Sequence, residues 1–318
     1  MRNALRVAAV LAIFMVVSAS AWAQGLLNQV YVSETDGNDV PPCGPIKKPC
    51  QTFAFSMTRV TSKGRVIVLN TGEYGAVRIT KSVTIEAPPG VNALIQQFVT
   101  NPTGGSFGVE IAAGSNDVVT LRGIKVSAPP GSFPSHEVVF TSGAARYIEN
   151  CVVEGGVLGI DIFPFGFAGD VNVFIRDTVV SNAGDGIRVA KEGSGSVRGT
   201  LERCSMEGNG DGLDVRDGAA VSARDCVITR ARFHGVVVGS SSVFTTQLTL
   251  EGCVINNNNV GIGADNANSV VRVSNSTITD NQKGIDIFVV GVSVLSRGNN
   301  TLEANTVNGA FNGVYTAK

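Results

Sequence analysis

The amino-acid sequence predicts an all-β fold, a single-stranded parallel β-helix of about ten rungs with a short N-terminal capping helix. Two observations predict the solenoid: a repeat of roughly 23 residues, and short runs of alternating apolar residues within each repeat. The chain has 318 residues, of which 38 are glycine and only 16% are charged. Frequent bends and a continuous core account for this composition.

The repeat is clearest when residues 173–189 are aligned with residues 271–287, which match without a gap. In both segments a Gly-Ile step follows a small residue by eight positions. The same frame recurs around Gly159, Gly186, Gly212, Gly235, Gly261 and Gly284, with one extra residue before Gly235. Three short strands per repeat can form one coil of a solenoid, in which each rung pairs with the next.

Asparagines follow the small residue of the repeat by four or five positions. They are Asn182, Asn209, Asn257 and Asn281. Asparagine tolerates the left-handed backbone of a tight bend, and stacked asparagine side chains can hydrogen-bond along the solenoid axis. These residues are therefore predicted to mark one bend of each rung.

Residues 1–23 resemble a secretory signal peptide, because Arg2 and Arg6 precede an apolar run that ends in Ala21-Trp22-Ala23. Cleavage after Ala23 predicts a secreted or periplasmic protein that does not span a membrane. The remaining chain divides into an N-terminal cap region, residues 24–64, and the β-helix, residues 65–318.

Within the cap region, the segment from Thr52 to Val60 is predicted to form the short capping helix. Thr52 would cap its N-terminus, while Phe53, Met57 and Val60 would share one helical face. A helix in this place would cover the open end of the solenoid.

The charge distribution argues against nucleic acid as a partner. The formal net charge is −1, and no basic run exceeds Lys47-Lys48. Removal of the signal peptide would also remove Trp22, the one tryptophan of the chain. The mature protein would then lack an indole surface for binding sugars.

The chain opens with Val30-Tyr31-Val32-Ser33 and Asp36-Gly37-Asn38-Asp39, followed by Pro49-Cys50-Gln51-Thr52-Phe53 and Gly72-Glu73-Tyr74. These segments resemble the start of secreted bacterial right-handed β-helix proteins of the pectin-lyase-like superfamily. The resemblance implies a right-handed solenoid, but this fold carries lyases, hydrolases, epimerases and adhesins. Of the polygalacturonase motifs only Phe233-His234-Gly235 is partly matched. A mature chain without tryptophan also lacks the Trp-Ile-Asp-His segment of the main pectate lyases.

The six cysteines fall into two groups. Cys43 and Cys50 lie close together in a loop and are predicted to form a disulfide in an oxidising compartment. Cys151, Cys204, Cys226 and Cys253 share one inward position and are interpreted as small core residues. Disulfides between stacked neighbours stay open as an alternative, and no metal site is predicted.

A polar cluster is predicted beside the glycines of three successive rungs. Asp185, Asp211 and His234 would stack about 5 Å apart, with Arg188 and Asp214 stacked beside them. As catalytic residues, the carboxylates could divide into acid and base, or hold Ca²⁺ against a uronate while an arginine removes a proton. The alternative is a solvated ladder of opposite charges. No cofactor is predicted, apart from Ca²⁺ if the protein is a lyase.

A loop with three phenylalanines, Phe163, Phe165 and Phe167, is predicted to project from a rung and either to bind sugar or to pack on its own rung. Two functions follow. The favoured one is a non-catalytic exported protein that binds a polysaccharide or cell-envelope glycan. The alternative is a polysaccharide lyase or glycoside hydrolase acting on a uronate-containing polysaccharide.

Overall fold

The computed structural model describes residues 25–96, 99–100, 106–128, 135–191, 194–239 and 244–316. The predicted signal peptide lies outside the described residues. The described chain forms three long β-sheets and one short helix, which confirms the all-β solenoid. None of its helical segments has the length and apolar content needed to cross a bilayer.

The strands of the first half are β1 (Leu27–Val32), β2 (Val60–Val68), β3 (Gly72–Glu73), β4 (Val77–Ile79), β5 (Val83–Glu86), β6 (Ala93–Ile95), β7 (Val99–Thr100), β8 (Ser106–Ala112), β9 (Val118–Arg122), β10 (Ile124–Ser127), β11 (Ser135–Ser142), β12 (Ala145–Glu149), β13 (Val152–Glu154), β14 (Leu158–Ile162), β15 (Val171–Arg176) and β16 (Val179–Ser181).

Those of the second half are β17 (Asp185–Ala190), β18 (Val197–Glu202), β19 (Ser205–Glu207), β20 (Asp211–Arg216), β21 (Ala220–Arg224), β22 (Val227–Thr229), β23 (His234–Gly239), β24 (Thr246–Glu251), β25 (Val254–Asn256), β26 (Val260–Ala264), β27 (Ser269–Ser274), β28 (Thr277–Thr279), β29 (Lys283–Ile287), β30 (Ser293–Ser296), β31 (Thr301–Leu302) and β32 (Gly313–Val314).

Each repeat contributes one strand to each sheet. Sheet 1 has the order β1-β2-β5-β9-β12-β15-β18-β21-β24-β27-β30-β32, and sheet 2 has β3-β6-β10-β13-β16-β19-β22-β25-β28-β31. Sheet 3 runs β4-β8-β11-β14-β17-β20-β23-β26-β29, with β7 pairing antiparallel to β8. The described sheets contain 12, 10 and 10 strands. The number of strands therefore differs among the sheets, and the expectation of about ten rungs is not matched exactly.

The core fills the space enclosed by the three sheets. In one coil, Val173 and Ile175 point inward from sheet 1, Val180 from sheet 2, and Ile187 and Val189 from sheet 3, all at most 1% exposed. Full burial of such a side chain contributes about 1.5–3 kcal/mol, and the same positions are buried in the next coils. The stacked core therefore keeps the strands in register.

Two left-handed residues flank the sheet 2 strand in the coils from β13 to β28. One stands before the small residue of the repeat, as at Asp177 (φ 50°) and Asn275 (φ 50°), and the other stands four positions after it, as at Asn182 (φ 57°) and Asn257 (φ 55°). Asparagine reaches this backbone region more readily than most residues. The predicted bend at Asn182 and Asn257 is therefore found.

A separate row of asparagines lies one position further along the repeat. Asn281 Oδ1 accepts from the backbone nitrogen and from Nδ2 of Asn258, and Asn305 Oδ1 accepts the corresponding bonds from Asn281, at 2.9–3.0 Å. Asn209 Oδ1 accepts from Ala183 N at 2.9 Å. The prediction was wrong in grouping four asparagines together, because Asn209 and Asn281 belong to this buried row and the other two to the bend.

The helix α1 (Phe53–Arg59) forms where it is predicted, and Thr52 Oγ1 accepts from Phe55 N at 3.1 Å as its N-cap. It ends one residue early, since Val60 begins β2. The helix lies against β1, β2 and β4. Because β1 also pairs with the outer side of β2, the helix shares this end of the solenoid with a strand.

The predicted disulfide between Cys43 and Cys50 is present, with a Cα–Cα distance of 4.9 Å. Cys50 N donates to Tyr31 O at 2.9 Å, and Tyr31 N donates to Gly44 O at 2.7 Å. The bridged loop is thereby attached to β1, just before the helix.

Candidate functional site

The candidate site lies on sheet 3, where β14, β17, β20 and β23 are neighbours. Asp185 is in register with Asp211, and Asp211 with His234. Three residues further along each strand, Arg188 is in register with Asp214. The structure therefore brings together all five residues that the repeat pattern selected.

Asp211 and His234 form a carboxylate–imidazole pair. Asp211 Oδ1 lies 2.8 Å from His234 Nδ1 and accepts a further bond from the His234 backbone nitrogen at 2.9 Å. The extra residue of this repeat precedes the strand, so it does not disturb the pairing of β20 with β23. The edge of the Phe288 ring packs on the imidazole, with ring centroids 5.9 Å apart.

Asp185 is half-buried next to this pair. Burial, and then the negative charge of Asp211, raise the pKa of the Asp185 carboxyl, while Arg188 and Arg216 act in the opposite direction. Asp185 therefore keeps its proton to a higher pH than an ordinary aspartate. A carboxyl with a raised pKa and a second acidic group stand side by side on adjacent strands.

Asp161, which the sequence analysis missed, anchors Arg188. Its oxygens accept from Arg188 Nε at 2.9 Å and from Nη2 at 3.0 Å, and His136 Nδ1 lies 3.2 Å away. Asp161 is only 1% exposed. The signal was present in the sequence, because Asp161 occupies the repeat position of Arg188 and Asp214.

Asp214 is also 1% exposed and is paired within its own strand. Its two oxygens accept from Arg216 Nε at 2.7 and 2.6 Å. Burial raises the pKa of Asp214 to about 7, against the opposing effect of Arg216. Arg216 is another member of the site that the sequence analysis did not select.

The three loop phenylalanines have different surroundings. The Arg188 guanidinium lies 5.3 Å from the ring centroid of Phe163, and Phe165 projects into solvent with 70% exposure. Phe167 packs against the core. The loop therefore combines both predicted arrangements: Phe165 projects, Phe167 packs on the core, and Phe163 contacts the charged residues.

We call seven residues the sheet 3 cluster. They are Asp161, Asp185, Arg188, Asp211, Asp214, Arg216 and His234. The cluster contains four carboxyl groups, two guanidinium groups and one imidazole. Its net charge is negative when all four carboxyl groups are ionised. Such a set can donate and accept protons, and its carboxylate oxygens are ligands of the type that Ca²⁺ prefers.

Other potential ligand groups are used structurally. Within the described ranges, the one set of three acidic, cysteine or histidine ligand atoms within 4.8 Å of one another is Asp39, Cys43 and Cys50, and the two cysteines are bonded to each other. Four further cysteines are buried free thiols: Cys151, Cys204, Cys226 and Cys253. Burial raises the pKa of the Cys151 thiol to about 11, which suits a core residue.

Residues 107–307 match the family model described as the right handed beta helix region. Since this match spans more than half of the chain, the protein belongs to that family. The match confirms the right-handed solenoid implied by the resemblance.

Two solved structures share the architecture at low identity. The crystal structure of pectate lyase Pel9A is 14% identical with a TM-score of 0.62, and the alignment covers 92% of this chain and 78% of the lyase chain. The complex of XylC with xylose is 10% identical, also with a TM-score of 0.62, covering 87% and 70% of the two chains. No curated protein sequence matches the chain. These structures establish a shared fold.

Proposed function

We propose that this protein is an exported, carbohydrate-active β-helix that binds a glycan along sheet 3 and cleaves it by acid–base catalysis at the sheet 3 cluster. The observation that carries the proposal is the pair Asp185 and Asp211 on adjacent strands, with the pKa of Asp185 raised and Asp211 held by His234. Glycosidic bond cleavage uses two carboxyl groups, one as proton donor and one ionised.

The proposed roles follow from the contacts. Asp185 donates a proton to the leaving oxygen as the bond between that oxygen and the anomeric carbon breaks. A water molecule attacks the anomeric carbon, and the ionised Asp211, which His234 orients, takes the proton from that water. Arg188 and Arg216 neutralise Asp161 and Asp214, which are too deeply buried to meet a substrate. Those two aspartates are positioning residues, whereas the sequence analysis gave Asp214 a catalytic role.

The charge of the cluster bears on the substrate. With the proton that its proposed role requires on Asp185, three carboxylates face two arginines, so the cluster offers a polyanionic uronate chain no excess positive charge unless Ca²⁺ binds there. A neutral polysaccharide therefore suits the site better, with Phe163 and Phe165 available for stacking against sugar rings. The two structural neighbours, a pectate lyase and a protein in complex with xylose, also favour a carbohydrate ligand.

Export and end capping complete the proposal. The signal-peptide pattern of residues 1–23 supports secretion or a periplasmic location. The helix α1 and the bridged loop before it would protect the first strands from edge pairing with other chains.

A second function, glycan binding without catalysis, is favoured by a different observation. Asp161, Asp211 and Asp214 are all engaged in short ion pairs with arginine or histidine. In that case the cluster acts as a fixed array of hydrogen-bonding groups.

A cleavage assay separates these two functions. The full chain is incubated with xylan, β-glucan and mannan, and with polygalacturonate plus Ca²⁺, and is assayed for new reducing ends and unsaturated products. We expect cleavage of a neutral polysaccharide, and a loss of about 10²–10⁴-fold in rate for Asp185→Asn or Asp211→Asn. Asp177→Asn is the matched control, because Asp177 is an exposed aspartate paired with Arg203.

Each outcome of the assay has a defined meaning. Full activity of both Asp185→Asn and Asp211→Asn would refute the assigned roles. Binding of a glycan with no cleavage by the wild type would establish the second function instead.

A further inference from the structure

The outer face of sheet 1 carries a stacked aromatic pair that the sheet 3 cluster does not use. Tyr147 and Phe174 are in register on β12 and β15, with ring centroids 5.0 Å apart and an angle of 11° between the rings. Phe174 is 37% exposed. An exposed aromatic ring that is held in a fixed orientation offers an apolar surface at little entropic cost.

Short hydroxyl side chains follow Phe174 along the solenoid axis. Thr200, Ser222 and Thr249 occupy the same register position on the next three strands, and Arg272 comes after them. We call Phe174, Thr200, Ser222 and Thr249 together the sheet 1 shelf. At the spacing between strands, its hydroxyl floor extends about 14 Å from the ring.

A row of alternating charges borders the shelf. Glu149, Arg176, Glu202, Arg224 and Glu251 are in register on successive strands. Glu149 lies 2.6 Å from Arg122 and 2.9 Å from Arg176, and Arg224 lies 3.2 Å from Glu251. Because the charges are paired, the row supplies hydrogen-bond donors and acceptors without a strong net field.

These features meet in one cavity of about 180 Å³ beside Phe174, which is lined by Tyr147, Glu149, Phe174, Ile175, Arg176, Thr200 and Glu202. A sugar ring has an apolar face of C–H groups and a rim of hydroxyls. The Phe174 ring can stack on the apolar face, and Glu149, Arg176 and Thr200 can hydrogen-bond with the hydroxyls. The bordering row contains three glutamates and two arginines, so it offers a polyanion no excess of positive charge.

We propose that the sheet 1 shelf is a second glycan-binding site, which takes a neutral oligosaccharide with one sugar ring stacked on Phe174 and the next units laid along the hydroxyl floor. The site does not depend on the reaction proposed for sheet 3. It would keep the protein attached to a polysaccharide while sheet 3 acts on another segment.

Calorimetric titration of the full chain with hexasaccharides of β-1,4-linked glucose, xylose and mannose tests this site. Asp185→Asn serves as the common background, so that cleavage does not interfere. We expect Phe174→Ala to weaken binding of one of these sugars at least about tenfold, as stacking on an aromatic ring requires. Thr84→Val should leave binding unchanged, since Thr84 lies in the same register row three strands before Phe174.

Thr200→Arg is the second variant, because it fills the cavity and leaves the aromatic pair in place. It should weaken binding to the same extent, which covers the case that Phe174→Ala fails to fold. Wild-type affinity in folded Phe174→Ala and Thr200→Arg would overturn the proposal, and so would failure of the parent chain to bind all three sugars. Dimerisation that Phe174→Ala abolishes, without any sugar binding, would assign the shelf to a second copy of the chain and likewise overturn it.

Discussion

Sheet 1 and sheet 3 both carry opposite charges in register on successive strands, but the two faces differ in burial. On sheet 1, the side chain of Glu149 is 11% exposed and those of its partners Arg122 and Arg176 are 47% and 51% exposed. On sheet 3, the side chain of Asp161 is 2% exposed and that of its partner Arg188 is 26% exposed. Ion pairs in water contribute little to stability, whereas a buried charge depends strongly on its partner. The comparison shows that similar patterns of alternating charge have different chemical consequences.

One connection contributes to this difference. After a sheet 1 strand the chain continues almost at once into sheet 2, as from β15 to β16 across residues 177–178. The connection from the sheet 3 strand β14 to β15 is longer and covers residues 163–170, whereas β11 and β20 are followed by connections of two and three residues. The long connection carries Phe163, whose ring contacts Arg188 beside the buried Asp161. The Phe163 ring therefore covers part of the Arg188–Asp161 pair.

Removal of one partner from a buried pair should give the largest effect on stability. Asp161→Ala leaves Arg188 and His136 without their shared carboxylate, and we expect the free energy of unfolding to fall by about 2–3 kcal/mol. Glu251→Ala on sheet 1 is the control, with an expected change below about 1 kcal/mol. Urea unfolding followed by circular dichroism measures both. Equal losses of unfolding free energy in the two variants would show that burial does not make the ion pairs of sheet 3 more important for stability than those of sheet 1.

The titration of Asp214 should make stability depend on pH. Burial raises its pKa in the folded protein to about 7, so between an ordinary aspartate value and pH 7 the folded state binds more protons than the unfolded state. The contribution of Asp214 to stability is therefore highest at low pH and is lost as the pH rises to about 7, with a slope of at most about 1.4 kcal/mol per pH unit.

Asp214→Asn removes this contribution. The difference in unfolding free energy between wild type and Asp214→Asn, measured from pH 4.5 to 7.5, should shift steadily against the wild type and level off above pH 7. Glu202→Gln on sheet 1 serves as the exposed control. A difference that is constant with pH would contradict the raised pKa of Asp214.

The smallest effect is expected from sheet 1. Arg122, whose side chain is 47% exposed, bridges Glu86 and Glu149 at distances of 3.4 and 2.6 Å. Arg122→Ala should lower the free energy of unfolding by about 0.5–1 kcal/mol at low ionic strength. Most of that loss should disappear in 1 M salt, because the screening length there is about 3 Å. The same salt should hardly change the cost of Asp161→Ala. A salt-insensitive loss at Arg122 would show that packing of its side chain dominates.

Much of the fold could be predicted because its pattern is local and repeated. The spacing from the small residue to the glycine was sufficient to align Asp185, Asp211 and His234 on adjacent strands. The same alignment could have identified Asp161, which was overlooked because its own repeat offered no second polar residue nearby. The separate roles of Asn257 and Asn258 needed coordinates, since neighbouring positions differ in backbone conformation and burial.

The sequence by itself determined the right-handed solenoid, its register, the Cys43–Cys50 disulfide and the rows of side chains on each face. Alternation of apolar residues and recurring bend residues are encoded within each repeat, and stacking then places equivalent positions side by side. The tertiary structure alone decided that Asp161 and Asp214 are buried while Arg122 and Arg176 are exposed. Burial depends on contacts made by residues outside the repeat, such as Phe163 beside Arg188, and such contacts are not contained in the repeated pattern.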